Sequence, residues 1–299
     1  YSALSTEDTM GNNVAVGYKA LQDLDAGENG NNVAIGAEAG RRMSTGIKNT
    51  IVGSLAGDHL TSGSYNVAIG YQALTLEDAH GRNVAVGYNT LRDLDAGADA
   101  YNIAIGFETG KTLSTGIENV IIGGKAGEAL TTGSDNVAIG HDALSTEDTG
   151  GLNVAVGAYA LQDLDAGANA YNVAIGYQAG KEVTTGIKNT SIGARTMQAT
   201  TVGQENVALG YQALFTNVDG SKSVAIGANS LLSQEPASAV DMYNTAVGYN
   251  SGYSISTGVR NTLMGGLAGD ALTTGSYNTV FGQNALSSED AGSYNAAIG

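Results

Sequence analysis

SYNVAIGYQAL (64–74) is a phrase that the chain repeats with small changes, as YNIAIGFETG (101–110), DNVAIGHDAL (135–144) and ENVALGYQAL (205–214). Each copy carries the word Asn-x-x-x-Gly. The first residue of the word falls at 13, 32, 49, 66, 83, 102, 119, 136, 153, 172, 189, 206, 223, 244, 261, 278 and 295, and it is Asn everywhere except Ser223. The steps run 19, 17, 17, 17 three times over and then 21, 17, 17, 17, so seventeen words are grouped in fours. The larger period is 70 residues, and 72 in the last block. Each long step holds an acidic turn, QDLDAG (22–27), RDLDAG (92–97) and QDLDAG (162–167), which becomes SQEPAS (233–238) in the fourth block.

A unit of 17 residues is too short for the helical pair of an α-solenoid. The words Val-Ala-Ile and Val-Ala-Val are β-rich and bounded by Asn and Gly, which marks short strands. A second short segment follows each Gly, for example Ala20-Leu21, Ala39-Gly40 and Ala73-Leu74, and then a polar turn such as Ser-Thr-Gly. Strand, Gly corner, second segment and turn make one coil of a parallel β-solenoid. One coil cannot bury its own face, so the coils must stack. At ~4.8 Å per coil, the expectation is an all-β rod of roughly 80 Å, with residues 1–299 forming one domain.

Alternation along a strand puts the first and third residues of the word on one side and the middle residue on the other. Val67 and Ile69 are therefore expected to fill the coil's interior, and truncating Ile69 to Ala to cost roughly 2–5 kcal/mol. The middle residue is Ala15, Ala34, Ile51, Ala68, Ala85, Ala104, Ile121, Ala138, Ala155, Ala174, Ser191, Ala208, Ala225, Ala246, Leu263, Val280 and Ala297. A solvated face would show Thr, Lys, Ser or Glu. This small apolar line instead implies close contact, either with the other wall of a flat coil or with an identical chain. The expectation adopted is an interface between chains, carried by the Ala positions through Ala246 together with Ile51, Ile121 and Leu263. The repeated Gly reads as a tight corner. The repeated Asn reads as an amide ladder, or as a left-handed corner residue. Tyr precedes Asn at 65, 101, 171, 243, 277 and 294 and follows Gly at 18, 71, 88, 177, 211 and 249, positions that read as surface stacks or a sugar-binding surface.

Composition narrows the function. The 299 residues include 44 Gly, one Pro, no Cys and no Trp, and the formal charge is −16. That charge argues against nucleic acid and against anionic membrane surfaces. Absence of Cys removes disulfides and thiolate metal sites. No apolar run is long enough to span a membrane. The chain begins and ends inside its repeat, so it reads as a fragment or a mature segment. His59, His80 and His141 have no second His or Cys at ligand spacing, and no Ser/His/Asp grouping stands apart, so enzymatic work is not expected. The chemical candidates are the acidic turns. Asp23 and Asp25, Asp93 and Asp95, and Asp163 and Asp165 each form Asp-x-Asp-x-Gly, and the preceding coils end in Glu7-Asp8, Glu77-Asp78 and Glu147-Asp148. Stacked carboxylates give either a solvated negative edge or a shared Ca²⁺.

The words NVAIG and GYQAL resemble the head repeats of YadA-like trimeric autotransporter adhesins, and the NNTAVGYQAL-type arrays of phage and bacterial tail-fibre proteins. The resemblance covers essentially the whole chain. It implies a parallel β-roll, often left-handed, in a homotrimeric fibre on a virion or bacterial surface that binds a receptor or glycan. It also implies that the words at 13–17, 32–36, 66–70 and 136–140 serve core and intersubunit packing. This chain departs from the adhesin heads in its longer period, and it shows no coiled-coil stalk, anchor or chaperone segment. The rival expectation is a purely structural filament or sheath subunit. Ice or mineral binding would call for flat ranks of Thr, whereas Thr here sits in irregular turns.

Overall fold

The computed structural model describes residues 2–6, 11–26 and 30–299. Among these there is no helix. The chain divides into two compact units, Tyr1–Gly151 and Leu152–Gly299, each a parallel β-solenoid.

In the first unit the strands are β1 (Val14–Val16), β2 (Val33–Ile35), β3 (Thr50–Val52), β4 (Val67–Ile69), β5 (Val84–Val86), β6 (Ile103–Ile105), β7 (Val120–Ile122) and β8 (Val137–Ile139). Each is the middle of one Asn-x-x-x-Gly word. Neighbours pair in parallel and in register, so that Ala34, Ile51, Ala68 and Ala85 stand directly above one another. In the second unit the words give β9 (Val154–Val156), β10 (Val173–Ile175), β11 (Thr190–Ile192), β12 (Val207–Leu209), β14 (Val224–Ile226), β16 (Thr245–Val247), β17 (Thr262–Met264), β18 (Thr279–Phe281) and β19 (Ala296–Ile298). Here two short extra strands, β13 (Gly220–Ser221) and β15 (Val240–Asp241), pair with each other beside the longest step of the repeat.

The corners explain the fixed letters. Gly53 has φ +136, and a Cβ there would strike the carbonyl of Gly70 in the next coil, so only Gly fits. Asn is a ladder. The side-chain Oδ1 of Asn32 accepts the backbone N–H of Asn49 (2.8 Å), and Asn49 Oδ1 accepts that of Asn66 (2.8 Å). Most of these amides also donate across their coil, as Asn49 Nδ2 does to Gly63 O (2.9 Å). At Ser223 the missing amide is replaced by Gln234, whose Nε2 reaches Ser223 Oγ and whose Oε1 accepts from Asn244 Nδ2. The left-handed residue is the one before Asn, not Asn itself: Tyr65 (φ 62), Arg82 (φ 63) and Tyr101 (φ 52). Gln72 and Leu74 are left-handed as well. Such conformations cost of order 1 kcal/mol each or more. Stacking offsets the strain, because the N–H of each finds a carbonyl in an adjacent coil: Tyr65 to Ile47, Gln72 to Ser54, Leu74 to Thr90.

The faces of the strand are the reverse of the expectation. Ala34, Ile51, Ala68, Ala85, Ala104, Ile121, Ala138, Ala155, Ala174, Ala208, Ala225, Ala246 and Leu263 are 0% exposed within the single chain, and Ala15, in the first described word, is half-buried. They line the coil's own interior and cannot be an interface between chains. Val and Ile on either side point outward instead. The physical reason is room. The coil is thin, and the opposite wall is the Ala-Leu segment of the turn, so Ala208, Ala225 and Ala246 pack with Ala213, Leu214 and Leu231 in one core cluster. A methyl group fits that gap.

Candidate functional site

With Ala inward, the outward side of each word shows four residues at alternate positions. One row reads Tyr65, Val67, Ile69, Tyr71; the next Arg82, Val84, Val86, Tyr88; the next Tyr101, Ile103, Ile105, Phe107. All of these are exposed or half-exposed, and Val16 at 56%, Ile35 at 42% and Phe281 at 50% mark how open the apolar columns stand. The two edge columns are organised. After the Gly corner, Tyr71, Tyr88 and Phe107 stack with ring centres 5.5 and 5.3 Å apart. Before the Asn, cations slot between rings: the Arg82 guanidinium lies 5.6 Å from Tyr65 and 5.4 Å from Tyr101. Arg260 lies likewise between Tyr243 and Tyr277 at 5.8 and 5.3 Å, and Tyr277 stacks on Tyr294 at 4.9 Å. Cation–π contacts of this kind stabilise by ~0.5–1 kcal/mol each when exposed. The sequence shows the Tyr period. It does not show that the intervening Arg completes the stack, although the period places Arg82 and Arg260 in the same column.

The second unit has a shallow pocket where its strands β13 and β15 interrupt the regular coil, lined by Gln204, Ser221, Val240, Asp241, Tyr243 and Arg260. On this surface Lys222 Nζ meets Asp241 Oδ2 at 2.7 Å, and Tyr243 Oη donates to the same carboxylate at 3.1 Å. The hydrogen bond from Lys222 holds the Asp241 carboxyl below its ordinary range, and the hydrogen bond with Asp241 raises Lys222.

The acidic turns repeat one backbone pattern. The N–H groups of Asp23 and Asp25 donate to the carbonyls of Arg41 and Ser44, those of Asp93 and Asp95 to Lys111 and Ser114, and those of Asp163 and Asp165 to Lys181 and Thr184. Glu7, Asp8 and Gly27, which belong to the first turn, lie outside the described residues. Asp93 is paired with its neighbour in the chain. Arg92 grips both of its oxygens at 2.6 Å, and that contact raises the guanidinium's own pKa. Asp95 instead meets the preceding coil, where one ligand atom each from Glu77, Asp78, His80 and Asp95 lies within 4.8 Å of all the others. His80, set aside in the sequence for want of a second His, is brought to carboxylates by the stacking of coils. Its signal in the sequence is visible afterwards: Glu77 stands in the interior column that is Leu60 in the coil before and Leu94 in the coil after.

His59 lies 3.6 Å from Asp58, and His141 lies 3.2 Å from Asp142. Comparison with known protein families, with curated proteins and with solved structures finds no match.

Proposed function

We propose that this chain is a non-enzymatic segment of an extracellular fibre, on a virion or a bacterial surface, that self-associates through its outward Val/Ile columns and serves attachment to a receptor or glycan. The observation that carries the reading is the exposed apolar face. Its rows of Val and Ile lie at ~4.8 Å spacing, so the eight rows of the first unit run over about 34 Å. Contiguous apolar surface of that extent marks an interaction site. A second copy of the chain is the partner this face fits, because its flat, repeated rows match another set of the same rows. Three copies about one axis form a closed ring of heterologous contacts and display three copies of any receptor site, which adds avidity. The resemblance to trimeric adhesin heads and tail-fibre arrays supports the same proposal.

The experiment is light scattering on the purified chain, followed by binding of the same sample to a glycan array and to bacterial cells. The expected mass is three chains. Lys in place of Val67, Ile69, Val137 and Ile139 should bring it to one chain while leaving the circular dichroism of a β-solenoid intact. A wild-type chain that is monomeric at tens of micromolar would overturn self-association. A trimer that binds no glycan or cell would favour the filament reading.

A further inference from the structure

The turn that ends at Gly81 holds more polar chemistry than the fold requires. Glu77 is 0% exposed and sits between Leu60 and Leu94 in an interior column that holds Glu again at Glu147 and Glu289. Its Oε1 accepts the backbone N–H of His80 (3.2 Å) and stands 3.6 Å from His80 Nδ1. Its Oε2 makes no hydrogen bond, and neither does the buried Nδ1 of His80. A buried carboxylate oxygen without a donor is costly unless something positive meets it. The homologous turns show how the Glu caps the turn; at Glu147 the carboxylates of Asp148 and Asp165 also gather, but without an imidazole. In Glu147-Asp148-Thr149-Gly150 the Glu147 Oε1 accepts the N–H of Gly150 at 2.7 Å, and Glu289 does the same with Gly292 at 2.8 Å. Capping the turn therefore takes a Glu and any backbone N–H. The imidazole at position 80 adds a donor atom that the cap does not use.

We propose that Glu77, Asp78, His80 and Asp95 bind a divalent transition-metal ion of the Zn²⁺ type. Their four ligand atoms already lie within 4.8 Å of one another. Ligands on one tetrahedral Zn²⁺ stand about 3.4 Å apart, given bonds of about 2.0–2.1 Å. Rotation of Asp78 and Asp95, both exposed, closes that gap, while buried Glu77 and half-buried His80 provide the fixed half of the site. The donor set decides the metal. One imidazole nitrogen with carboxylate oxygens suits Zn²⁺ and its neighbours, whereas Ca²⁺ takes six to eight oxygens.

Isothermal titration of the full, untagged chain with zinc chloride, and separately with calcium chloride, tests this after treatment with a chelator. Zn²⁺ is expected to bind tightly and to raise the melting temperature, with Ca²⁺ at least tenfold weaker. His80→Gly recreates the Gly-Gly of residues 150–151, so it should fold with an unchanged metal-free melting temperature and lose Zn²⁺ affinity at least tenfold. Asp95→Asn, at an exposed position, should weaken Zn²⁺ binding by about 10-fold or more and is the second variant. Zn²⁺ binding that survives His80→Gly and Asp95→Asn, Ca²⁺ binding as tight as Zn²⁺, or no heat and no thermal shift with Zn²⁺ would each overturn the site.

Discussion

The coil that begins at Asn49 and the coil that begins at Asn189 solve one space problem in opposite ways. In the first, Ile51 stands inward on the strand and Gly57 faces it from the turn. In the second, the strand carries Ser191 and the turn carries Met197. Ile121 with Gly127 and Leu263 with Gly269 follow the first arrangement. A Cβ at Gly57 would lie 3.3 Å from Ile51 Cδ1 and 2.8 Å from Leu60 Cδ1, so the Ile occupies the space a turn side chain would take. Ile51 Cδ1 also lies 3.0 Å from a Cβ built at Gly40, so one large residue fills the gap left by two glycines. In the Asn189 coil the large residue has moved to the turn, and Ser191 Oγ is satisfied by donating to Thr196 O at 2.8 Å. In both coils one large residue fills the interior. Which wall supplies it is free to change.

The sharpest break of that comparison is a charge in the inner column. Ala68→Glu would bury a carboxylate in the apolar interior of the coil, at a cost of several kcal/mol or more. A collapse of the cooperative melt, seen by circular dichroism at any protein concentration, is expected. A variant that stays folded and merely drops from oligomer to monomer would return Ala68 to the outside of the coil.

Next is the truncation of the volume-filling residue. Ile51→Ala should destabilise by about 2–5 kcal/mol in urea titrations, because it opens a cavity beside two glycines. The same truncation at the outward Ile69, where the side chain is already more than a third exposed, should cost less than about 1 kcal/mol in the isolated chain. Equal losses at the two positions would erase the distinction between the faces.

A smaller and more diagnostic effect comes from moving the volume. Gly57→Met alone should overpack the coil by about 1–3 kcal/mol. Paired with Ile51→Ser it recreates the composition of residues 191 and 197, so the double variant should be more stable than the sum of the two single losses by roughly 0.5–3 kcal/mol. Strict additivity in a double-mutant cycle would mean that the two walls do not share one space.

The least effect is expected at the surface of the coils. Lys222 and Asp241 are half-exposed, and Lys222→Met should shift the melting temperature less than any variant above. The sign with pH follows from the two shifts. Asp241 is depressed, so its contribution is present above the unfolded pKa of about 3.9 and is lost as pH falls through the folded value. Lys222 is raised, so its contribution is present below about 10.4 and is lost as pH rises through the folded value. The difference between Lys222→Met and wild type should therefore be visible near pH 7 and vanish in acid below the folded Asp241 value. A difference that persists there would assign it to packing of the Lys222 stem on Tyr243.

By itself the sequence determined the coil, its period, the strand positions and the Gly corner. Those follow from local rules, because a three-residue β-branched word, a residue that must lack a Cβ, and a strict repeat leave one way to stack. Alternation also determined that Ala68 opposes Val67 and Ile69. It could not say which set points in, since both are apolar and hydrophobicity carries no preference between them. Only the tertiary structure decided that, through the distance between the strand and the Ala-Leu wall, which admits a methyl group in most coils and a larger side chain such as Ile51 or Ile121 where the turn carries Gly. The same limit hid His80. In the chain it is a lone histidine 15 residues from Asp95. Stacking brings the two turns together, and contact between successive coils is a property of the assembled solenoid that no single repeat contains.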